Sequence, residues 1–197
     1  MSDPETIRVY DDRAKDYADL TDDQVTDDPK LAAFIAACPD GGRVLDLGCG
    51  PGAAAAAMAQ AGLKVEAWDA SSEMVAMAAR HPGVSARQAV FDDISGHDVY
   101  DGIWASFSLL HAPRGDFPSH LKALHKALKP GGTFVIGMKT GTGQARDSLG
   151  RLYTYYTVLE LEKYLTEAGF TPTSQKVGTG KGLDGNEAEY VLVTAHG

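Results

Sequence analysis

Three closely spaced glycines follow a short apolar segment of this sequence, at Gly48, Gly50 and Gly52. Glycine permits positive φ and close approach of a ligand to the backbone, and a helix that begins after such a loop offers free N–H groups. Asp69 lies 19 residues beyond Gly50, which is the length that one helix and one strand occupy. This spacing predicts a crevice for a nucleotide-like ligand, in which the Asp69 carboxylate accepts both hydroxyls of a ribose.

The residues in and beside this loop are compatible with two classes of cofactor that differ in charge. Together with Ala53, the glycines match the GxGxxA pattern of a dinucleotide-binding loop, so an NAD-dependent oxidoreductase stays open as an alternative. Asp46, however, lies two residues before the first glycine, where its negative charge would repel a pyrophosphate. A ligand that carries an ammonium and a sulfonium would tolerate or favour this carboxylate.

The elements that must position these residues follow a regular order, because short apolar segments alternate with helical stretches from residue 43 onward. Strands separated by helices form right-handed βαβ units and a mainly parallel sheet. The predicted strands are Arg43–Leu47, Lys64–Asp69, Val84–Val90, Asp101–Ala105, Thr133–Met138, Thr171–Val177 and Ala188–Ala195. The predicted helices are Ala53–Ala61, Ser72–Arg80, Pro118–Leu128 and Val158–Ala168.

The last two strands are separated only by the Gly-rich turn Gly178–Gly185, which is too short for a crossover helix, so they should pair antiparallel. The predicted fold class is therefore α/β, a Rossmann-like doubly wound seven-stranded sheet whose five parallel strands are closed by an antiparallel C-terminal hairpin. Residues 1–40 are predicted to form an N-terminal helical cap on one compact domain of residues 41–197. The Gly-rich segment Gly137–Gly150 is predicted to be a mobile loop at the ligand-facing edge.

Charge and size exclude several classes of protein. The 197 residues include 44% hydrophobic ones, enough for the core of a single domain. The net charge of −9 argues against nucleic acid as a partner, because binding to phosphates needs clustered Lys and Arg. Residues 1–30 contain ten acids and four bases, so most of the negative excess lies there. Aspartates at helix N-caps would account for part of it.

The cysteines, the histidines and the first residues of the chain predict where the protein is located and whether it binds a metal. Cys38 and Cys49 form no disulfide framework, as expected in a reducing compartment. The first residues are acidic, unlike a signal peptide, and no apolar run approaches the roughly 20 residues of a membrane span. The six histidines show no metal-ligand spacing such as HExxH. We therefore expect a cytoplasmic protein with no membrane partner and no metal.

With these observations in place, the motifs of the chain resemble those of the class I S-adenosylmethionine-dependent methyltransferases, over most of its length. The matching segments are Tyr10–Tyr17, Val44–Gly52, Asp69–Met74, Phe91–Asp93, Tyr100–Trp104 and Leu128–Gly132. The segments Trp104–Pro113 and Gly141–Tyr156 are loosely similar to bacterial tellurite-resistance methyltransferases. The resemblance implies S-adenosylmethionine as the cofactor and a small molecule as the methyl acceptor.

The resemblance also implies roles for single residues. Met74 would pack on the adenine, Phe91 would contact its ring, and Asp92 would bind its amino group, although Asp92 and Asp93 are equally typical of a helix or turn cap. Ser106 would line the methionine end, and Cys49 would fill the loop rather than act as a nucleophile. The predicted cofactor-binding residues are Asp46, Gly48, Cys49, Gly50, Asp69, Ala70, Met74, Phe91, Asp92 and Ser106.

Two residues are candidates for catalysis. Methyl transfer from a sulfonium is an in-line displacement to which orientation contributes about 7–11 kcal/mol, and a base is needed only if the acceptor must lose a proton. His111 follows the fourth strand and suits such a base, with a structural role in its loop as the alternative. Tyr17 is predicted to offer its ring face to the sulfonium, with a role as a hydrophobic anchor of the N-terminal helix as the alternative.

The predicted substrate residues are Arg146, Arg151 and Tyr153, since arginines among tyrosines in an acidic chain suit an anionic or aromatic acceptor. Surface arginines beside packed tyrosines are the alternative. The Asn/Asp-Pro-Pro-Tyr/Phe motif of enzymes that methylate nucleic-acid amino groups is absent. A module that binds the cofactor without catalysis also stays open. The acceptor atom and the oligomeric state are left open by the sequence.

Overall fold

The computed structural model describes residues 3–25 and 28–197. Within these ranges the helices are α1 (Pro4–Asp12), α2 (Ala14–Val25), α3 (Pro29–Ala37), α4 (Ala53–Gln60), α5 (Ser72–Ala78), α6 (Phe117–Ala127) and α7 (Val158–Ala168). The strands are β1 (Arg43–Leu47), β2 (Lys64–Asp69), β3 (Val84–Gln88), β4 (Tyr100–Ser106), β5 (Leu128–Lys139), β6 (Gln144–Arg146), β7 (Leu152–Thr154), β8 (Thr171–Lys181) and β9 (Glu187–His196). Short 3₁₀ turns at Phe91–Asp93 and Leu109–His111 follow β3 and β4.

Seven strands form one sheet in the order β3-β2-β1-β4-β5-β9-β8. The first five are parallel, whereas β9 runs antiparallel to both β5 and β8. The predicted fold class is confirmed. Because the strand order reverses between β1 and β4, the carboxyl ends of these two strands flank a crevice of the kind in which doubly wound folds bind ligands.

The central strands of the sheet are packed on both faces, and successive side chains of a strand point to opposite faces. Val44 of β1 belongs to a cluster that contains Phe34 of α3 and Met58 of α4. Leu45, the next residue, belongs to a second cluster that contains Leu121 of α6. Helices therefore cover the two faces of the central strands, and a ligand can reach these strands at their ends.

Two aspartates of the acidic N-terminal segment begin helices. Oδ2 of Asp3 accepts the N–H of Thr6 at 2.9 Å at the start of α1, and Oδ1 of Asp28 accepts the N–H of Lys30 at 2.8 Å at the start of α3. A carboxylate at this position satisfies a free helix N–H and interacts favourably with the helix dipole. These two carboxylates are N-caps, as expected from the sequence; Asp27 lies outside the described residues.

Helix α1 is fixed beside the carboxyl edge of the sheet by hydrogen bonds that its side chains accept. Ser71 Oγ, just before α5, donates to Asp11 Oδ1 at 2.6 Å, and the N–H of Leu152 in β7 donates to Thr6 Oγ1 at 2.8 Å. Residues 1–2 and 26–27 of the predicted cap lie outside the described residues. The division into a cap of residues 1–40 and a domain of residues 41–197 stays a prediction.

The segment after β5 corrects one prediction. Gly137–Gly150, expected to be a mobile loop, contains the end of β5 and all of β6, and β6 pairs with β7 in a small antiparallel sheet. Strands of three residues show no alternation in a sequence, which is why the pattern did not reveal them. The final hairpin is also longer than expected, since β8 continues to Lys181 and β9 begins at Glu187.

Candidate functional site

The glycine loop lies between β1 and α4, at the carboxyl edge of the sheet. Gly48 has a φ of 71°, and a Cβ at this position would lie 2.2 Å from Cβ of Ser108. Gly50 has a φ of 53°, and its Cβ would lie 3.3 Å from the ring of Tyr17. The loop therefore passes close to these side chains with its backbone uncovered, which only glycine allows.

Asp69, the last residue of β2, is held by the glycine loop. One carboxylate oxygen accepts the N–H of Gly50 and the other accepts the N–H of Ser71, each at 2.9 Å. Burial raises the pKa of Asp69, and these backbone hydrogen bonds act in the opposite direction. The hydrogen bonds fix the orientation of the carboxylate at the edge of the loop.

Asp46 is a buried carboxylate with one unused oxygen. The residue is 2% exposed, and Oδ2 has no hydrogen-bond partner among residues 3–25 and 28–197. Burial, and next to it the charge of Asp69, raises the pKa of Asp46 to about 7, while a hydrogen bond from the Ala55 backbone lowers it. A buried carboxylate oxygen without a donor is costly. It therefore marks a position that suits a cationic or N–H-bearing group of a ligand.

Two adjoining cavities open from the glycine loop. The first, which we call the inner cleft, is lined by the predicted residues Gly48, Gly50, Asp69, Ala70, Met74 and Phe91. Tyr17 and Ser108 also line it, and Ser108 Oγ is buried without a partner in the described part of the chain. A narrow apolar slot beside a fixed carboxylate suits a flat base joined to a sugar.

Asp92 is the predicted cofactor residue that lines neither of the two cavities. It is exposed on the turn Phe91–Asp93, and the cleft is lined there by Phe91 and the preceding Val90. Oδ2 of the neighbouring Asp93 accepts the N–H of Val90 at 2.9 Å, which is the turn-capping role named as the alternative for these aspartates.

The second cavity, which we call the outer cavity, has a volume of about 580 Å³. Asp46, Cys49 and Ser106 line its inner end. Residues of β5 and of the β8–β9 hairpin, including Lys139 and Tyr190, line its far end. Burial raises the pKa of the Cys49 thiol, so the thiolate that a nucleophile requires is disfavoured.

Tyr17 and Tyr10 line both cavities. Their rings meet edge to face, with centroids 5.4 Å apart. Burial raises the pKa of both phenols, so both hydroxyls are neutral in the folded protein. The sequence indicated Tyr17 as a site residue, whereas Tyr10 entered only as the first residue of the matching segment Tyr10–Tyr17. Its position beside a loop 101 residues away follows only from the fold.

Both ring nitrogens of His111 are engaged. Nδ1 lies 2.6 Å from the carbonyl oxygen of Leu152, so it must carry the hydrogen and donate. Nε2 lies 2.9 Å from the hydroxyl of Tyr10 and therefore accepts from it. Burial lowers the pKa of His111 to about 4, which keeps the ring neutral. These contacts anchor the loop, which was the alternative role for this residue.

Of the three predicted substrate residues, the structure brings two to the outer cavity. Arg151 is 1% exposed, donates to Asp147 Oδ2 at 2.6 and 2.9 Å, and donates to the Tyr10 hydroxyl at 3.0 Å. Tyr153 is buried, with its ring centroid 4.6 Å from that of His111. Arg146 lies apart from the cavity, where its guanidinium contacts Asp3 at 2.8 Å on the surface.

Phe107 and Ser108, which follow β4, also line the cavities, and the sequence predicted no role for either. Lys139, at the end of β5, is the first residue of the segment Lys139–Tyr156, in which the sequence predicts determinants of acceptor specificity without naming this lysine. Phe107 has a φ of 57°, which is uncommon for a residue with a side chain and carries no sequence signal. In the part of the chain that the structure describes, no group of three or more His, Cys, Asp or Glu residues could hold a metal ion. None of its helices is both long enough and apolar enough to cross a membrane.

Comparisons with known proteins agree with this geometry. A family model described as a methyltransferase domain matches residues 20–175. The cypemycin N-terminal methyltransferase of a Streptomyces species is 32% identical over 143 residues, which are 69% of this chain and 57% of that protein. The ubiquinone biosynthesis O-methyltransferase of Xanthomonas campestris is 34% identical over 112 residues, 53% of this chain and 46% of that protein. The chain thus spans about half the length of these curated relatives.

A solved structure extends the comparison to nearly the whole chain. The 1,6-didemethyltoxoflavin-N1-methyltransferase of Burkholderia thailandensis, with bound 1,6-didemethyltoxoflavin and S-adenosylhomocysteine, is similar with a TM-score of 0.70 and 25% identity. The similarity covers 96% of this chain and 87% of that one.

Proposed function

The chain belongs to the class I S-adenosylmethionine-dependent methyltransferases, and from that premise we propose that it transfers a methyl group from S-adenosylmethionine to a small-molecule acceptor. The observation that carries this proposal is the unpartnered Oδ2 of Asp46 beside the bare backbone of the glycine loop. It is a place for a cationic ligand and disfavours the pyrophosphate of the alternative NAD cofactor.

The residues present fit the cofactor. The ammonium of its methionine part would supply the donor that Asp46 lacks, and Ser108 Oγ offers a second unused polar atom nearby. Asp69, already oriented by two backbone N–H groups, would accept from the ribose hydroxyls. Met74 and Phe91 would enclose the adenine in the inner cleft. Asp92 has no part in this proposal, because it lies outside that cleft.

The outer cavity would hold the acceptor. Its volume of about 580 Å³ lies within the range of ordinary small-molecule pockets. The Burkholderia enzyme is named for N1-methylation of 1,6-didemethyltoxoflavin, and the chain's net charge of −9 disfavours nucleic acid, which together support a small-molecule acceptor here. The cytoplasmic location expected from the sequence remains part of the proposal.

The bound cofactor supplies an electrophilic methyl group, and the chain's own residues supply binding and orientation. Tyr17 lies where the two cavities meet, and its ring face would contact a sulfonium there, a contact worth about 0.5–2 kcal/mol. His111 acts as a positioning residue, since both its nitrogens are engaged in holding Tyr10 and the β7 backbone. Fixed geometry of this kind is the main source of acceleration in an in-line displacement.

Ligand binding followed by thermal unfolding tests the proposed function. A ligand at 100 times its Kd adds about 2.7 kcal/mol to the free energy of unfolding, which is about 5–10 °C in Tm for a chain of this size. We expect this rise with S-adenosylmethionine and with S-adenosylhomocysteine, and none with NAD at the same concentration. A rise with NAD alone would favour the oxidoreductase. No rise with either methyl-donor compound would refute the proposal.

A further inference from the structure

The charge of the outer cavity is opposite to that of the whole chain. The net charge of the protein is −9, yet four of the six charged side chains that line this cavity are cations. The cations are Lys139, Arg151, Lys176 and Lys181, and the carboxylates are Asp28 and Asp46. The whole chain has 27 acidic and 18 basic residues, so the excess of cations that line this cavity is opposite to the overall balance of charge. Where these cations lie, away from Asp46, the excess would attract an anion.

Of these four cations, Lys139 is the one that is held in place and makes no direct ion pair within residues 3–25 and 28–197. Arg151 is paired with Asp147 at 2.6 Å, and Lys176 and Lys181 are exposed on β8. Lys139 is partly buried at the end of β5, and its Nζ makes no hydrogen bond or ion pair with any residue in the ranges 3–25 and 28–197. Its Nζ lies 4.2 Å from the centroid of the Tyr153 ring, which fixes the position of the ammonium.

The hairpin encloses this ammonium from the other side. A Cβ at Gly182, in the turn between β8 and β9, would lie 3.3 Å from Lys139 Nζ. Lys139 is also the register partner of Tyr190 in β9. Burial lowers the pKa of Lys139, whereas the charge of Asp184 raises it. The ammonium thus lies between an aromatic ring and a glycine turn, with the Asp184 carboxylate nearby but no direct ion pair among the described residues.

Among the described residues that line the cavity, neither the imidazole nor the buried carboxylate is a free base, and the third candidate, Asp28, is the N-cap of α3. His111 uses both nitrogens, and the Tyr10 hydroxyl is a neutral donor to it. Asp46 lies at the glycine loop, where the proposed function assigns it to the cofactor's ammonium. An acceptor whose attacking atom is already deprotonated at neutral pH needs no base.

From these two observations we propose that the methyl acceptor is an organic anion, such as a carboxylate or an acidic enol, whose negative charge is held by Lys139. This inference rests on the proposed function. A lone pair of the anion forms the bond to the methyl carbon while the carbon–sulfur bond breaks and its electron pair remains on sulfur. The anion and the sulfonium are both neutralised, so no proton is transferred.

The experiment measures binding of matched anionic and neutral probes to protein saturated with S-adenosylhomocysteine. The probes are benzoate with benzamide, and hexanoate with hexanamide, titrated by calorimetry at low and at high salt. We expect at least one carboxylate to bind about tenfold more tightly than its amide, as for a hydrogen bond to a charged group in a partly exposed site. We also expect that preference to weaken at high salt.

Three variants test whether Lys139 is the residue that binds the negative charge of the probe. Lys139→Gln should weaken binding of the carboxylate about tenfold and leave the amide unchanged, whereas Lys139→Arg should retain most of the preference. Lys163→Gln removes an exposed lysine of α7, far from the cavity, and should change nothing. Equal binding of carboxylate and amide, binding of neither, or an unchanged carboxylate affinity in Lys139→Gln would overturn the inference.

The affinity for S-adenosylhomocysteine, measured on the same samples, separates this inference from the proposed function. If wild-type protein does not bind it, the proposed function itself fails. If it binds and no carboxylate is preferred, only the anionic acceptor is refuted. An unchanged affinity and Tm in Lys139→Gln establish that this variant is folded.

Discussion

The hydroxyl of Tyr10 lies 2.9 Å from Nε2 of His111 and joins α1 to the turn after β4. Arg151 donates to the same hydroxyl at 3.0 Å, and His111 donates through Nδ1 to the backbone of β7. The first helix, the β4 edge and the segment after β5 are therefore connected by one chain of hydrogen bonds. Each donor in it has an acceptor, which is what permits these polar groups to be buried beside the cavities.

Replacement of His111 by Gln should reduce the loss of stability in mild acid. Burial lowers the pKa of His111 to about 4 in the folded protein, so the unfolded chain takes up the proton first, near pH 6.5. The buried, neutral His111 therefore contributes its full share to the free energy of unfolding above pH 6.5, and this contribution is lost as the pH falls towards 4. Between pH 7 and 5.5, urea denaturation should show about 1 kcal/mol more loss for wild type than for His111→Gln.

The control for this prediction is Gln175→Asn, at an exposed position of β8 without a titratable side chain. It should leave the pH dependence of the wild type unchanged. Identical pH slopes for wild type and His111→Gln would contradict the buried, neutral state of His111.

Replacement of Asp69 by Asn should weaken binding of S-adenosylhomocysteine about 10- to 100-fold, as expected for lost hydrogen bonds to a charged group. Both oxygens of Asp69 accept backbone N–H groups, so the amide nitrogen of Asn would place a donor against a donor and distort the loop. Calorimetric titration measures the change. Asp40→Asn, at an exposed position before β1, is the matched control, and equal affinities in the two variants would rule out the ribose role.

Binding of S-adenosylmethionine should depend on pH through Asp46. Its pKa of about 7 in the free protein means that a cationic ligand must displace a proton below that pH. Affinity should fall by up to about tenfold per pH unit below 7 and level off above it. Titrations from pH 5.5 to 8 test this, and Asp46→Asn should bind weakly with a flat profile. A flat profile in the wild type would show that Asp46 does not meet the cation.

The same residue should affect the stability of the ligand-free protein. The folded pKa of Asp46 is raised, so its contribution is most favourable below the ordinary pKa of 3.8 and is lost as the pH rises through about 7. Asp46→Asn should therefore be more stable than wild type at pH 8 by about 1–3 kcal/mol, although it binds the cofactor less well. Urea denaturation without ligand measures this, and a less stable variant would contradict it.

Two glycines with similar backbone angles provide a test of the loop. Gly48 and Gly41 have φ of 71° and 66°, but a Cβ at Gly48 would lie 2.2 Å from Ser108, whereas one at Gly41 would meet nothing within 4 Å. Gly41→Ala should cost only the left-handed strain of about 1–2 kcal/mol. Gly48→Ala should cost more and should abolish cofactor binding. Equal stabilities in thermal unfolding would mean that Ser108 moves aside freely.

The sequence was sufficient for the fold and for the position of the glycine loop. Alternation of apolar strands with helices is a local, periodic signal, and the short link before β9 excludes a crossover helix, so the order of parallel and antiparallel strands follows. It was not sufficient for β6 and β7. β6 and β7 are only three residues long, and strands of this length show no periodicity in the sequence. The pattern therefore predicted a loop over Gly137–Gly150.

The amino-acid sequence by itself determined the doubly wound sheet, the loop around Gly50 and the aspartate 19 residues beyond it, because each depends on residues close together in the chain. Only the tertiary structure decided that Arg146 lies on the surface with Asp3, that Asp92 lies outside the inner cleft, and that Tyr10 meets His111. It also decided that Lys139 lies beside Tyr153 under the final hairpin. These contacts depend on how distant segments pack, and such packing leaves no pattern in the local sequence.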